Sequence, residues 1–94
     1  MSEQEKANAP EVVMYTQALC GYCTAARKLL RSKGIDFIEI NVTMNAARRR
    51  EMTERSGGRR TVPQIFVNDQ HIGGYDDMAR LDRQNKLDAL LAAK

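Results

Sequence analysis

Two sulfurs three residues apart carry the chemistry open to this chain. Leu19-Cys20-Gly21-Tyr22-Cys23 holds the only two cysteines among 94 residues. An apolar run precedes them and a helical pattern follows. Cys20 therefore falls at or just before the first helical residue, and Cys23 falls one turn on. The free N–H groups of a first helical turn, together with the helix dipole, favour an anion at Cys20. Thiols in such places have pKa values of roughly 3.5–7.5, against about 8.5 for a free cysteine. Cys23 points to the same side but deeper, so it stays a thiol. Cys20 is then the attacking sulfur and Cys23 the resolving one.

A low thiol pKa does little for attack itself. Near pH 7 a free thiol is about 3% ionised, so full ionisation gains ~30-fold. Lowering the pKa by ~3 units loses ~20–30-fold in intrinsic nucleophilicity. The larger benefit is a better leaving group when a mixed disulfide is resolved. Two blander uses of the pair are weaker. A disulfide here closes a loop too short to constrain the unfolded chain much. Zinc wants four ligands, and the chain offers two Cys and one His.

Composition sets the frame. The length suits one small domain, and 43% hydrophobic with 29% charged residues is ordinary for a globular chain. No apolar run approaches the ~20 residues of a membrane span. The polar stretch 1–10 lacks the apolar core of a secretory signal and reads as a flexible tail. The domain is expected over 11–94. Two cysteines without a signal suit a reducing compartment, the cytoplasm. The net charge of +3 is mild. Arg48-Arg49-Arg50 and Arg59-Arg60 do not argue for nucleic acid, because Glu51 and Glu54 interleave with the first run at helical spacing. The lone His71 reads as structural or surface.

The elements that position the sulfurs follow in order. Residues 11–16 (EVVMYT) read as a buried strand. A helix runs from Cys23 to Lys33 and stops at Gly34. Residues 35–42 (IDFIEINV) alternate like a strand. A second helix covers 45–56, with Ala46, Ala47, Arg50 and Met52 inward, and ends at Gly57-Gly58. A third strand is expected over 61–67 (TVPQIFV), with Pro63 near its start. Asn68-Asp69-Gln70 turns the chain into a short return strand, His71–Gly73. Asp76-Asp77 can cap a C-terminal helix, broken near Asp82–Asn85. This β-α-β-α-β-β-α order implies an α/β fold: a four-stranded mixed sheet with helices on both faces. Sites in such sheets lie beyond the carboxyl ends of parallel strands, where Cys20 sits.

Three stretches together resemble the glutaredoxins: MYTQALCGYC (Met14–Cys23), TVPQIFV (Thr61–Val67) and HIGGYDDM (His71–Met78). The resemblance covers about residues 11 to 92. It implies a thioredoxin-like fold and glutathione-dependent thiol–disulfide exchange, with Cys20 as nucleophile and Cys23 resolving. Thr61, Val62 and Pro63 would then bind glutathione. Val62 would hold its cysteine part through backbone hydrogen bonds, with the bond to Pro63 cis. Gly74, Tyr75 and Asp76 match the segment gripping the γ-glutamyl end, Asp76 pairing with its ammonium. Tyr22 and Arg50 match positions near the glycine end. The implied partners are glutathione and disulfide-containing or glutathionylated proteins, with no nucleic acid and no membrane.

Two departures stand out. The family often carries lysine where this chain has Gln17, a loss that Arg50, Arg59 or Arg60 can offset. Many dithiol members carry proline where this chain has Gly21. Members lacking that proline resemble carriers of a [2Fe–2S] cluster. There Cys20 of each of two chains and two glutathiones would supply the four sulfurs. The expected state is therefore a monomer, with a dimer only around a cluster. A third alternative is a thioredoxin-like donor recharged by a flavoprotein reductase. The absence of tryptophan before Cys20 and the presence of Asp76 weigh against it.

Overall fold

A computed structural model of the chain describes residues 9–92. Residues 1–8 of the expected tail lie outside the described residues, as do 93 and 94. Four strands, β1 (Val12–Thr16), β2 (Ile38–Asn41), β3 (Gln64–Val67) and β4 (Gln70–Gly73), form one sheet in the order β2-β1-β3-β4. The helices are α1 (Gly21–Ser32), α2 (Ala46–Arg55), α3 (Tyr75–Arg83) and α4 (Leu87–Ala92). β1 pairs parallel with β2 and antiparallel with β3, and β3 pairs antiparallel with β4. The mixed sheet expected from the sequence is present.

β1 is central and buried along all five residues, which is why it reads as a continuous apolar run. Its side chains alternate between two cores. Val12 and Met14 join Ile65 and Val67 beneath α1, α3 and α4, through Ala26, Leu30, Met78, Leu87 and Leu91. Val13 and Tyr15 join Phe66, Val42 and Met52 of α2 on the other face. Helices thus cover both faces, as expected.

Two strands are shorter than their sequence patterns. β2 pairs only from Ile38, opposite Val13, because β1 has little left to offer earlier residues. Ile35 and Phe37 pack against the first core instead. β3 begins at Gln64, opposite Tyr15, so Thr61-Val62-Pro63 run beyond the sheet into a loop. In α2 the structure buries Met52 but leaves Ala46, Ala47 and Arg50 exposed. Two residues from Met52 is about 200° around a helix, which puts Arg50 on the far side.

Three helices stop in the same way. In α1 the N–H of Gly34 bonds to Arg31 O and that of Ile35 to Leu30 O; Gly57 and Gly58 repeat this after α2, Asn85 and Lys86 after α3. These are Schellman closures. Gly34 takes φ +69° in the first of them. The C-terminal helix does break near Asp82–Asn85. Asn68 and Asp69 both have positive φ, the mark of a two-residue type I′ hairpin.

Candidate active site

The loop leaving β1 delivers Cys20 to the N-cap of α1, with extended backbone at φ −110°, ψ 110°. Its Sγ accepts the N–H of Cys23 at 3.1 Å. The same sulfur lies 3.9 Å from the carbonyl of Val62. Cys20 is partly exposed, whereas Cys23 is fully buried, and both are free. Burial, and then the hydrogen bond to Cys20, push the Cys23 thiol up to about 11. One sulfur is therefore open to a substrate, and the other is held as a protonated thiol one turn away.

A cleft of about 400 Å³ opens beside this pair. The rings of Tyr22 and Tyr75 stack along it, centroids 6.3 Å apart and 30° between planes. Thr61, Val62 and Pro63 line it, and the Val62–Pro63 bond is cis. Gly74 and Asp76 bring in the N-terminus of α3. The cap there differs from expectation. Gly74 is the N-cap, and Asp76 and Asp77 sit inside the first turn. Asp77 reaches back to accept the Gly74 N–H at 2.9 Å.

The structure thus brings Tyr22, Thr61, Val62, Pro63, Gly74, Tyr75 and Asp76 to one cleft. It does not bring Arg50, which lines a separate depression with Arg49 and Arg60. Arg59 lines the cleft instead. Ser56 Oγ accepts the Arg59 N–H and donates to the Arg59 carbonyl, each at 3.1 Å, which fixes that turn. The Arg59 guanidinium lies 3.5 Å from Asp77. In the sequence Arg59 and Arg60 were equivalent; only the turn after α2 separates them.

Gln17 has a partner that its position alone did not reveal. Its Oε1 accepts from Arg49 Nη2 at 2.9 Å, so an arginine reaches the loop before Cys20. Gln64, fully buried, also carries weight at the site. Its amide nitrogen donates to the Thr61 carbonyl at 3.0 Å and to the Thr61 hydroxyl at 3.2 Å. Its oxygen faces His71 Nε2 at 2.7 Å. Burial, followed by the nearby Arg59 charge, holds the His71 pKa below its ordinary value. His71 and Gln64 both lie in stretches that carry the resemblance, but nothing in the sequence pairs them, and the sequence reading missed the link.

Among the described residues no group of three His, Cys, Asp or Glu is placed to hold a metal ion, and Cys23 is buried. The cluster alternative takes one sulfur from each of two chains and two from glutathione, and Cys20 is the accessible sulfur of this chain. No helix among the described residues is long and apolar enough to cross a membrane.

Comparison with known proteins agrees with this geometry. The glutaredoxin family profile matches residues 12–72. The chain is 54% identical to glutaredoxin 3 of Escherichia coli K12 over 80 residues, 85% of this chain and 95% of that protein. It is 49% identical to a glutaredoxin of Pseudomonas aeruginosa over 84 residues, 89% and 99% of the two chains. Among solved structures, the glutaredoxin of Brucella melitensis aligns with TM-score 0.79 and 45% identity, covering 90% of this chain and 91% of that one. A buckwheat glutaredoxin–glutathione complex aligns with TM-score 0.79 and 28% identity, covering 97% and 94%. With its two neighbouring cysteines on this fold, the chain belongs to the glutaredoxin family.

Proposed function

We infer that the protein is a glutathione-dependent thiol–disulfide oxidoreductase, reducing glutathione mixed disulfides and protein disulfides. The observation that carries this reading is the asymmetry of its two sulfurs. Cys20 is accessible and receives the Cys23 N–H, while Cys23 is buried and protonated. The thiolate is the attacking form of a cysteine. Cys20 attacks the disulfide, one substrate sulfur leaves with the electron pair, and a mixed disulfide forms on Cys20. Cys23 resolves it when the bound partner is a protein; a second glutathione resolves it otherwise.

The cleft suits an elongated, zwitterionic tripeptide. Val62 offers its backbone strand-fashion to the cysteinyl part, next to Thr61 and Pro63. Asp76 pairs with the γ-glutamyl ammonium, with Gly74 and Tyr75 beside it, and Tyr22 lies toward the glycine end. Arg59 takes the cationic role expected of Arg50, since it lines the cleft. The named likeness to a glutathione-bound buckwheat relative supports this ligand. The reading takes a single chain as the working unit, with a dimer only around a cluster, and its reduced thiols suit the cytoplasm.

A glutathione-coupled reduction assay tests the assignment. Cys20→Ser should abolish all turnover. Cys23→Ser should keep turnover of glutathione mixed disulfides but lose that of protein disulfides. Activity surviving in Cys20→Ser would overturn the roles, and turnover with a flavoprotein thioredoxin reductase but not with glutathione would overturn the reductant.

A further inference from the structure

The sheet order places a loop on each side of the nucleophile. β1 runs out into residues 17–20. β2 is parallel to β1, so its exit, residues 42–45, lies on one flank. β3 is antiparallel, so its entrance, residues 61–63, lies on the other. The cleft takes only this second flank.

On the first flank Leu19 and Met44 stand fully exposed, at 106% and 100%. Both hold left-handed backbone, with φ of 57° and 52°. The other non-glycine residues with positive φ among those described are Asn68, Asp69 and Asn85. Asn and Asp tolerate that region through their short polar side chains; leucine and methionine have no such compensation. Neither Leu19 nor Met44 buries apolar surface in return. At Met44 the left-handed backbone serves a turn, in which the Asn45 N–H donates to Val42 O at 3.1 Å, yet the side chains of Met44 and Leu19 are left outside the fold, where a partner can cover them.

The two loops are fixed to each other. Ala18 N–H donates to Thr43 Oγ1 at 2.8 Å, and Thr43 N–H to Asn41 Oδ1 at 2.8 Å. Asn45, next to Met44, caps α2, and a depression of about 480 Å³ opens at that helix. Arg49, Arg50 and Arg60 line it against a single Glu54. Arg49 reaches back to Gln17, which joins the basic depression to the loop of Cys20.

We propose that this flank docks the protein half of a mixed disulfide, in the form of an acidic segment with an apolar side chain beside its cysteine. The assignment rests on the glutathione-dependent reading above. A mixed disulfide carries one chain on each sulfur. With the tripeptide in the cleft, the topology leaves the opposite flank for the client. Its apolar side chain covers Leu19 and Met44, and its carboxylates meet the arginines. The Cys20 thiolate then attacks the glutathione sulfur. A Cys20–glutathione bond forms as the client–glutathione bond breaks, and the electron pair leaves on the client sulfur, which takes a proton from water. A second glutathione thiolate attacks the Cys20-bound sulfur, frees Cys20 and departs as glutathione disulfide.

Three substrates test this with the wild-type protein: a glutathionylated peptide with Leu and Glu around its cysteine, the same peptide with Lys for Glu, and the cysteine–glutathione mixed disulfide. The acidic peptide should show about tenfold higher kcat/KM than the lysine peptide at low salt, the gap closing as salt rises. Met44→Gly, which accepts the left-handed backbone, should lose about fivefold on the acidic peptide. It should keep its rate on the small disulfide and melt no lower than the parent. Equal wild-type rates on the two peptides would overturn the docking surface and leave the glutathione chemistry standing. So would a Met44→Gly rate that is unchanged on the peptide, or that falls alike on all substrates. No turnover of any of the three would overturn the activity itself and the docking with it.

Discussion

His71 and Gln64 face each other from adjacent strands, with Nε2 of the ring 2.7 Å from Oε1 of the amide. The amide nitrogen of Gln64 is committed to the carbonyl and hydroxyl of Thr61, so its oxygen must be the atom that meets the ring. The neutral ring then carries its proton on Nε2. A histidine on the last strand is thereby tied to the loop that lines the cleft.

His71→Leu should leave the buried Gln64 oxygen without a donor, at a cost of about 1–3 kcal/mol of stability. It should also free Thr61 and raise KM for a glutathione mixed disulfide several-fold, with a smaller change in kcat. His71→Gln, which restores an N–H donor, should recover KM. Steady-state kinetics on both variants decide the matter. A lower melting temperature with an unchanged KM in His71→Leu would reduce the pair to a structural bond.

Gly73→Ala should be severe. Gly73 has φ +119°, and an added Cβ would stand 2.3 Å from Asp77 Oδ2 and 2.7 Å from its Cγ. Asp77 is the side chain that holds the Gly74 N–H at the start of α3. Losing such a cap costs about 1 kcal/mol by itself, and the backbone strain adds to it. Urea unfolding should show a loss well above that of Asp77→Ala. Equal losses would mean that the backbone accommodates the methyl.

The reduced protein should lose stability as pH rises from about 9 to about 11. Folded Cys23 keeps its proton to about 11, against about 8.5 for a free cysteine. The stabilisation this represents is complete below the unfolded thiol's pKa and fades through the folded one. Cys23→Ser should remove that part of the alkaline slope in a denaturant titration. At neutral pH, iodoacetamide should label one sulfur per native chain and two after unfolding, as read by mass spectrometry. Two labels on the native chain would contradict the burial of Cys23.

Arg55 ties the second core together. Its guanidinium lies 4.3 Å from the centroid of Phe66, and its Nη1 donates to the Tyr15 hydroxyl at 2.8 Å. That hydroxyl in turn donates to Glu51. Arg55→Ala should cost about 1–2 kcal/mol, and Arg55→Lys should recover only part, since lysine lacks the planar group that stacks. The Tyr15 hydrogen bond is the main reason the Glu51 carboxyl lies below its ordinary pKa. Its stabilisation is present above the ordinary carboxylate pKa and disappears as pH falls through the depressed one. Glu51→Gln should therefore flatten the acid limb of the stability curve, as followed by thermal melting.

Much of this protein is local, and local features can be read from the chain. The Cys20–Cys23 spacing, the apolar run of β1, Gly34 behind α1 and the Asn68-Asp69 turn are set by backbone preference and side-chain period within a few residues. The family likeness brought the cleft residues from Tyr22 to Asp76 into one list. What the chain alone left undecided were relations between distant residues. Strand lengths depended on where the partner strand ended, which cut β2 back to Ile38 and released Thr61-Val62-Pro63 into the loop. The choice among Arg50, Arg59 and Arg60 depended on helix phase and on one serine-held turn. The link from His71 to Thr61 needed the Gln64 side chain to turn between them, which the expected hairpin does not specify. The division of the surface around Cys20 into a cleft flank and an exposed apolar flank follows from β2 lying on one side of β1 and β3 on the other, and strand order is a property of the assembled sheet.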